Sequence, residues 1–341
     1  VKALVRPDGT LVARKIEAYS DQGGYASHGH SICANTVTMF KQLYHDERVT
    51  EGDGYTVYTN HTTAGAMRGY GIPQSDFITE CLAEDIARKL GQDPLSFRLK
   101  NAMPVGYVDP STGIHAYTNG LRECLAKGRE QFGWDEKYRK YARQTGNVRR
   151  GVGVAAFTYK TGVYPISLEV SNCRMFLNED GSVNLQMGAT EIGQGADTVF
   201  TQMAAQASGV SEKNIHIIST QDTDVSPFDL GAYASRQTYM GGMAVKRTGE
   251  LLKKKILDYA AFKFRKSAEE LDVENDRVVR KSNREPLISL ADLAVEAQYS
   301  RDRAERIFAE CSIDCKENTL ATGCTFAEVE VNVETGMYRI K

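Results

Sequence analysis

Three glycine-rich stretches hold the residues best suited to chemistry. The first, AGAMRGYGIPQ (residues 64–74), sets a cation, Arg68, and an aromatic ring, Tyr70, among glycines that include Gly69. Glycine leaves the backbone open to a ligand while the two side chains project into the same space. The second, GATEIGQGADT (residues 188–198), runs from a strand pattern into a helix pattern. Amides at a helix start attract anions, and Gln194, between Gly193 and Gly195, both donates and accepts. The third, DTDVSPFDLGAYASR (residues 222–236), is rich in small side chains that could expose a string of amides as a nest for phosphate or oxo groups. Each stretch alone is more often just a turn. Together, three places that need close backbone approach point to one large polar ligand.

Other patterns carry less. Gly151-Val152-Gly153-Val154-Ala155-Ala156 fits GxGxxA, and Glu169 follows about 18 residues on, near the spacing of a dinucleotide fingerprint. That fingerprint needs a helix opening at the glycines, with its amides facing a pyrophosphate. Phe157-Thr158-Tyr159, then Gly162 and Pro165, resist a helix, so a strand over 151–157 is expected and no nicotinamide site. The cysteines (Cys33, Cys81, Cys124, Cys173, Cys311, Cys315 and Cys324) form no CxxC pair, so neither a disulfide framework nor a metal ribbon is indicated. His28-Gly29-His30 reads as a turn bearing two polar rings.

The elements that must position the loops follow from periodicity. A hairpin is expected from Ala3–Val5, the turn Pro7-Asp8-Gly9-Thr10, and Leu11–Tyr19, with a loop over 23–31. From Gln74 to Leu90, Ile78, Leu82, Ile86 and Leu90 recur every fourth residue, an amphipathic helix. Asp93-Pro94 caps a short second helix. Residues 103–120 are turn-rich, and a linker falls near 136–149. Beyond it, Val170–Leu177 and Ser182–Met187 form a hairpin, a helix covers Ala196–Ser208, and Asn214–Ser219 is a buried strand. A long helix covers Gly242–Phe264 with Leu251, Leu252, Ile256 and Tyr259 inward and Lys253-Lys254-Lys255 solvated. Strands clustered with helices, without regular βαβ alternation, argue α+β. Two mixed strand/helix subdomains, 1–145 and 146–341, are expected.

The 341 residues, 41% hydrophobic and 25% charged, suit a soluble globular protein. A net charge of −2 gives no field that would recruit nucleic acid or an anionic membrane. No apolar run spans a bilayer and no signal peptide is visible, so the reducing cytoplasm is expected. The chain opens at Val1 within a strand pattern and closes on another, 325–341, so a longer parent is expected.

The three loops, in order, resemble the molybdopterin-contacting segments of the xanthine dehydrogenase and aldehyde oxidase family. GGYASHGHSI, RRGVGVAAF and ATEIGQGADTVFTQM are similar to its bacterial xanthine dehydrogenase molybdenum subunits. The resemblance implies subdomains clasping a molybdenum–molybdopterin cofactor, with its cytosine dinucleotide form left open. It implies hydroxylation of a purine or related heterocycle at an electron-poor carbon, with oxygen taken from water. Arg68 matches an arginine beside the cofactor and active site, and Tyr70 an aromatic position, usually Phe, that packs on substrate. Gly69, Gly193, Gln194 and Gly195 match cofactor-contacting positions. Gly231, Ala232, Tyr233, Ala234 and Ser235 match the small-residue loop under the metal and the phosphate tail.

Val163 and Tyr164 stand where the family has a second substrate-facing Phe-Thr pair, and neither is kept. That departure leaves aldehydes, nicotinate or aromatic acyl-thioesters as rival substrates. The resemblance places the catalytic glutamate beyond Lys341, so no catalytic residue and no metal ligand is assigned, and the chain alone is expected to be inactive. It implies iron–sulfur and FAD centres on partner subunits; homo-oligomerisation is left open. A rival from another class is a non-catalytic module that binds partner chains without cofactor.

Overall fold

Alternating apolar residues and glycine turns build the strands. In chain order the elements are β1 (Lys2–Val5), β2 (Leu11–Gly23), α1 (Gly29–Met39), β3 (Val49–Tyr58), α2 (Ile72–Leu90), α3 (Pro94–Asn101), α4 (Leu121–Phe132), α5 (Trp134–Tyr141) and β4 (Val148–Thr161). There follow β5 (Val170–Leu177), β6 (Val183–Met187), α6 (Ala196–Ser208), β7 (Ile215–Ile218), α7 (Gly242–Phe264), β8 (Leu271–Glu274), β9 (Arg277–Arg280), β10 (Pro286–Ser289), α8 (Leu290–Tyr299), β11 (Phe308–Asp314), β12 (Thr319–Asn332) and β13 (Tyr338–Ile340). This computed structural model describes residues 1–45, 48–110, 113, 115–164, 169–218, 222–317 and 319–341. Pro165 and Ser219, used in the expectations above, lie outside the described residues.

The fold is α+β and forms two units, Val1–Tyr159 with Thr319–Lys341, and Lys160–Asn318. This division by compactness differs from the sequence division at 145/146: the last strands return to the first unit. In the first unit, β2 pairs antiparallel with β1 and parallel with β3, with α1 as the crossover. A second sheet has the order β13-β12-β4. In the second unit the order is β11-β5-β6-β7, with β6 and β7 parallel and α6 between them, beside a small β10-β9-β8 sheet.

Each unit closes over its own core. Trp134, Phe97, Leu95, Leu121 and Leu125 are buried in the first, and Phe200, Leu252, Ile256, Tyr259 and Val245 in the second. Helices α2, α6 and α7 lie where periodicity placed them, and Asp93 caps α3 by accepting from the Ser96 amide. Three expectations need correction. Residues 29–31, expected to close a loop over 23–31, open helix α1 instead. Residues 134–141 are a helix where a linker was expected near 136–149, and residues 121–132, for which no element was expected, form another; only Leu121, Leu125 and Trp134 are buried there, so the period is masked by charge. Leu251 is 42% exposed, whereas Leu252, Ile256 and Tyr259 point inward. The β8–β10 sheet and α8 gave no signal that was read.

The GxGxxA stretch is strand β4, as its residues demanded. Val154 and Ala156 face inward, and helix α2 holds the strand from the side. The Glu80 carboxylate accepts from the Ala156 amide at 2.7 Å, and Asp76 from the Thr158 amide at 3.0 Å. Glu80 in turn pairs with buried Arg98 at 2.7 Å. Burial pushes the Asp76 carboxyl up to about 7, against the pull of the Thr158 amide.

A carboxyl raised in this way stabilises the fold fully below its unfolded value, near 4. That contribution is lost as pH climbs through about 7. Asp76→Asn is therefore expected to raise the melting temperature at pH 8 by about 2–4 °C, the shift that about 1 kcal/mol makes in a unit of this size. The gain should vanish toward pH 4. Melting curves of both proteins between pH 4 and 8 test this, and an equal pH slope in the two would refute the assignment.

Candidate functional site

The second glycine loop leaves the carboxyl end of β6 and enters α6, the position at which parallel strand–helix–strand units present ligand-binding backbone. Gly193 and Gly195 are left-handed, with φ of +92° and +85°, and each faces open space where a side chain would stand. One expectation is corrected here. The amides at this helix start already have an anion, because Glu191 accepts from Gly193 at 2.6 Å and from Gly195 and Asp197 at 3.1 Å each. Those backbone donors hold its carboxyl below the usual range, that of Asp197 most strongly.

Gln194 is likewise engaged. Its Oε1 accepts from the Ile192 amide at 2.7 Å, and its Nε2 donates to the Thr190 carbonyl at 3.0 Å and to Gln237 Oε1. Both amide hydrogens are thus used, and only one lone pair of Oε1 remains for a ligand. Sequence reading missed Glu191 and Gln237 as the loop's own clamps.

The third loop adjoins the second: a side chain at Gly188 would collide with the Pro227 carbonyl at 2.1 Å. Gly231 has φ +112°, and Ala234 and Ser235 are left-handed at +49° and +52°. Such backbone costs about 1–3 kcal/mol per non-glycine residue and persists only where its surroundings hold it. Arg236 enforces it. Fully buried, it donates to Glu169 at 2.7 Å, Asp229 at 2.6 Å, and the carbonyls of Gly231 and Val170 at 3.1 and 2.6 Å. Burial opposes its charge, but the two carboxylates raise its pKa overall. Asp229 also takes the Gly231 amide at 2.8 Å. Among the described residues the amides of Ala232, Tyr233, Ala234 and Ser235 find no acceptor. Tyr233 is 42% exposed, and Tyr164 is half-buried in the turn after β4. Glu169, weighed above at a ribose-binding spacing, is instead half of this buried ion pair.

In the first unit, the first loop strings together Gly69, Tyr70 and Gly71 at φ +103°, +45° and +92°. Glycine at 71 is obligatory because a side chain would stand 2.2 Å from the Ile32 carbonyl of α1. Pro73 similarly crowds Gly69. Three side chains from α1 and its cap hold the loop: His28 Nδ1 lies 2.7 Å from the Tyr70 hydroxyl, Asn35 Nδ2 donates to the Tyr70 carbonyl at 3.1 Å, and Thr36 donates to the Gly71 carbonyl at 3.0 Å. Arg68 is exposed and makes no ion pair or hydrogen bond among the described residues. The expected turn at His28 is therefore a helix start whose ring serves Tyr70.

Within the second unit the donors suit a polar, anionic organic group: among the described residues the amides of 232–235 have no acceptor, and the glycines at 193 and 195 are approachable. Among the described residues no group of three or more His, Cys, Asp or Glu side chains gathers to hold a metal directly. No helix there is long and apolar enough to cross a membrane.

Glycine loops of this kind in each unit suit a cofactor-holding protein, and the chain belongs to the molybdopterin cofactor-binding domain family, whose models match residues 1–102 and 127–341. It is 45% identical over 96% of its length to a putative xanthine dehydrogenase molybdenum-binding subunit of Escherichia coli, and spans 44% of that protein. A probable hypoxanthine oxidase of the same organism is 31% identical over the whole chain, which spans 36% of it. The chain thus covers less than half the length of these relatives. Among solved structures, the Cu,Mo-containing CO dehydrogenase shares the fold with a TM-score of 0.83 at 22% identity, over 99% of this chain and 45% of that one.

Proposed function

We propose that this chain is the molybdenum–molybdopterin-holding portion of a xanthine dehydrogenase-like hydroxylase that acts on purines or related heterocycles. The observation that supports it best is the run of four amides, 232–235, that find no acceptor among the described residues, in a loop that adjoins the second glycine loop at Gly188. When bound, the cofactor supplies the metal centre at which a carbon next to nitrogen receives oxygen from water. The chain's own residues bind and orient. The loop of Gly231, Ala232, Tyr233, Ala234 and Ser235 cradles the phosphate tail, through the amides of residues 232–235. Gly69, Gly193, Gln194 and Gly195 let backbone approach the pterin. Arg68 supplies a cation beside it, and Tyr70 and Tyr164 form substrate wall. Residues 1–145 and 146–341 serve as the two cofactor-binding subdomains. Partner subunits carrying iron–sulfur and FAD centres take the electrons away, in the cytoplasm.

Molybdenum and pterin analysis of the purified chain, made in a cofactor-producing host, tests the binding; a preparation free of both would refute it. Within the complete enzyme, Gln194→Ala removes three hydrogen bonds that fix the second loop, so cofactor content should fall. Tyr70→Ala should instead leave cofactor in place and raise KM about tenfold, the worth of one lost ring contact. The reverse pattern would mean that cofactor and substrate walls have been exchanged.

A further inference from the structure

Helix α1 and its cap aim four groups at one short stretch of the first loop. His28, Ile32, Asn35 and Thr36 are spaced i, i+4, i+7 and i+8, which puts them on one helical face, and each meets Tyr70 or Gly71. Asn35 and Thr36 hold backbone carbonyls. His28 alone acts on the Tyr70 side chain: its Nδ1 lies 2.7 Å from the phenol oxygen, and the two rings stand nearly perpendicular, at 80° and 5.7 Å between centroids. The imidazole is exposed, and its Nε2 has no partner among the described residues.

We infer that His28 is the positioning residue for the Tyr70 ring, and that the Tyr70–His28 pair selects substrates whose ring carries hydrogen-bonding oxo or N–H groups over apolar aldehydes. This rests on the reading of Tyr70 as substrate wall. The chemistry follows from the shared proton. If the phenol donates to Nδ1, then Nε2–H points outward as a donor and the phenol oxygen keeps a lone pair. If Nδ1–H donates to the phenol oxygen, the phenol proton turns outward and Nε2 accepts. Either arrangement leaves the pair one donor and one acceptor, groups that can meet the N–H and oxo groups of a polar ring and have nothing to meet on an apolar one. A phenylalanine at 70 would lack the hydroxyl and its bond to the His28 ring.

The test uses the complete enzyme with xanthine and benzaldehyde as probes, and the variants Tyr70→Phe, His28→Phe, His28→Gln and Tyr70→Phe/His28→Phe. Tyr70→Phe and His28→Phe should each lower the xanthine-to-benzaldehyde ratio of kcat/KM about tenfold, carried by the KM for xanthine. The double variant should be no worse than either single one, and His28→Gln, which keeps a polar partner, should recover part of the ratio. In the purified 341-residue chain, Tyr70→Phe should shift the ¹⁵N resonances of the His28 ring and no other histidine's. Additive losses in the double variant, equal losses for both probes, or unmoved His28 resonances would overturn the inference. If Tyr70→Ala changes the KM of neither probe, it is the substrate-wall reading that has failed, and the inference falls with it.

Discussion

Arg236→Met is expected to destabilise the second unit by about 3–5 kcal/mol, the cost of leaving buried carboxylates without their cation. Glu169 and Asp229 are essentially inaccessible, and Arg236 is the guanidinium that bridges them. Methionine fills similar space but donates nothing, so both acids must take up protons, draw in water or move apart. The backbone at Ala234 and Ser235 loses its anchor as well, and relaxes out of the left-handed region. Urea unfolding followed by circular dichroism measures the stability. Cofactor content of the complete enzyme measures the loop, and it should fall too. Arg236→Lys should lie between, because an ammonium keeps the charge but cannot reproduce the planar fork. A loss below about 1 kcal/mol for the methionine variant, the range of surface pairs, would show that the pair is not buried in solution.

Gly71→Ala should be nearly as damaging, for a different reason. Its added carbon would meet the Ile32 carbonyl at 2.2 Å and Thr36 Oγ1 at 2.9 Å, and φ is +92°. Left-handed strain costs about 1–3 kcal/mol. The collision costs about 1–3 more, because helix backbone must shift to relieve it. Gly193→Ala is the matched control: its φ is also +92°, yet nothing stands within 4 Å of the added carbon. The difference between the two isolates the collision. Trp134, the sole tryptophan, lies in the first unit and reports the Gly71 variant by fluorescence during urea unfolding. Equal losses in the two variants would mean that α1 does not press on the loop.

The glycine loops were legible in the sequence because close approach and left-handed backbone select glycine wherever the chain folds that way. Helices α2, α6 and α7 were legible because their apolar residues repeat at helical spacing, and Gly209 marks the end of α6. Helix α1 was not: GHSICANTVTM mixes Ser, Asn, Thr and Val, all weak helix formers, with no side chain capping its start. The loops' anchors were hidden for another reason. Glu169 and Arg236 are 67 residues apart, and nothing local marks one as the other's partner. Glu191 looked like one more loop residue, yet it fills the helix-start site that was expected to be open to a ligand.

The second unit interrupts the first in sequence, so on the ribosome their order of completion is reversed. Strand β4 emerges early but finds its sheet neighbour β12 only after residues 160–318 have been made, on the order of 10–30 s at about 5–20 residues per second. The continuous inner unit can finish first, while the outer one waits with an open strand edge. During that wait the Asp76 and Glu80 carboxylates can hold the Ala156 and Thr158 amides, keeping one flank of β4 from pairing with another nascent chain.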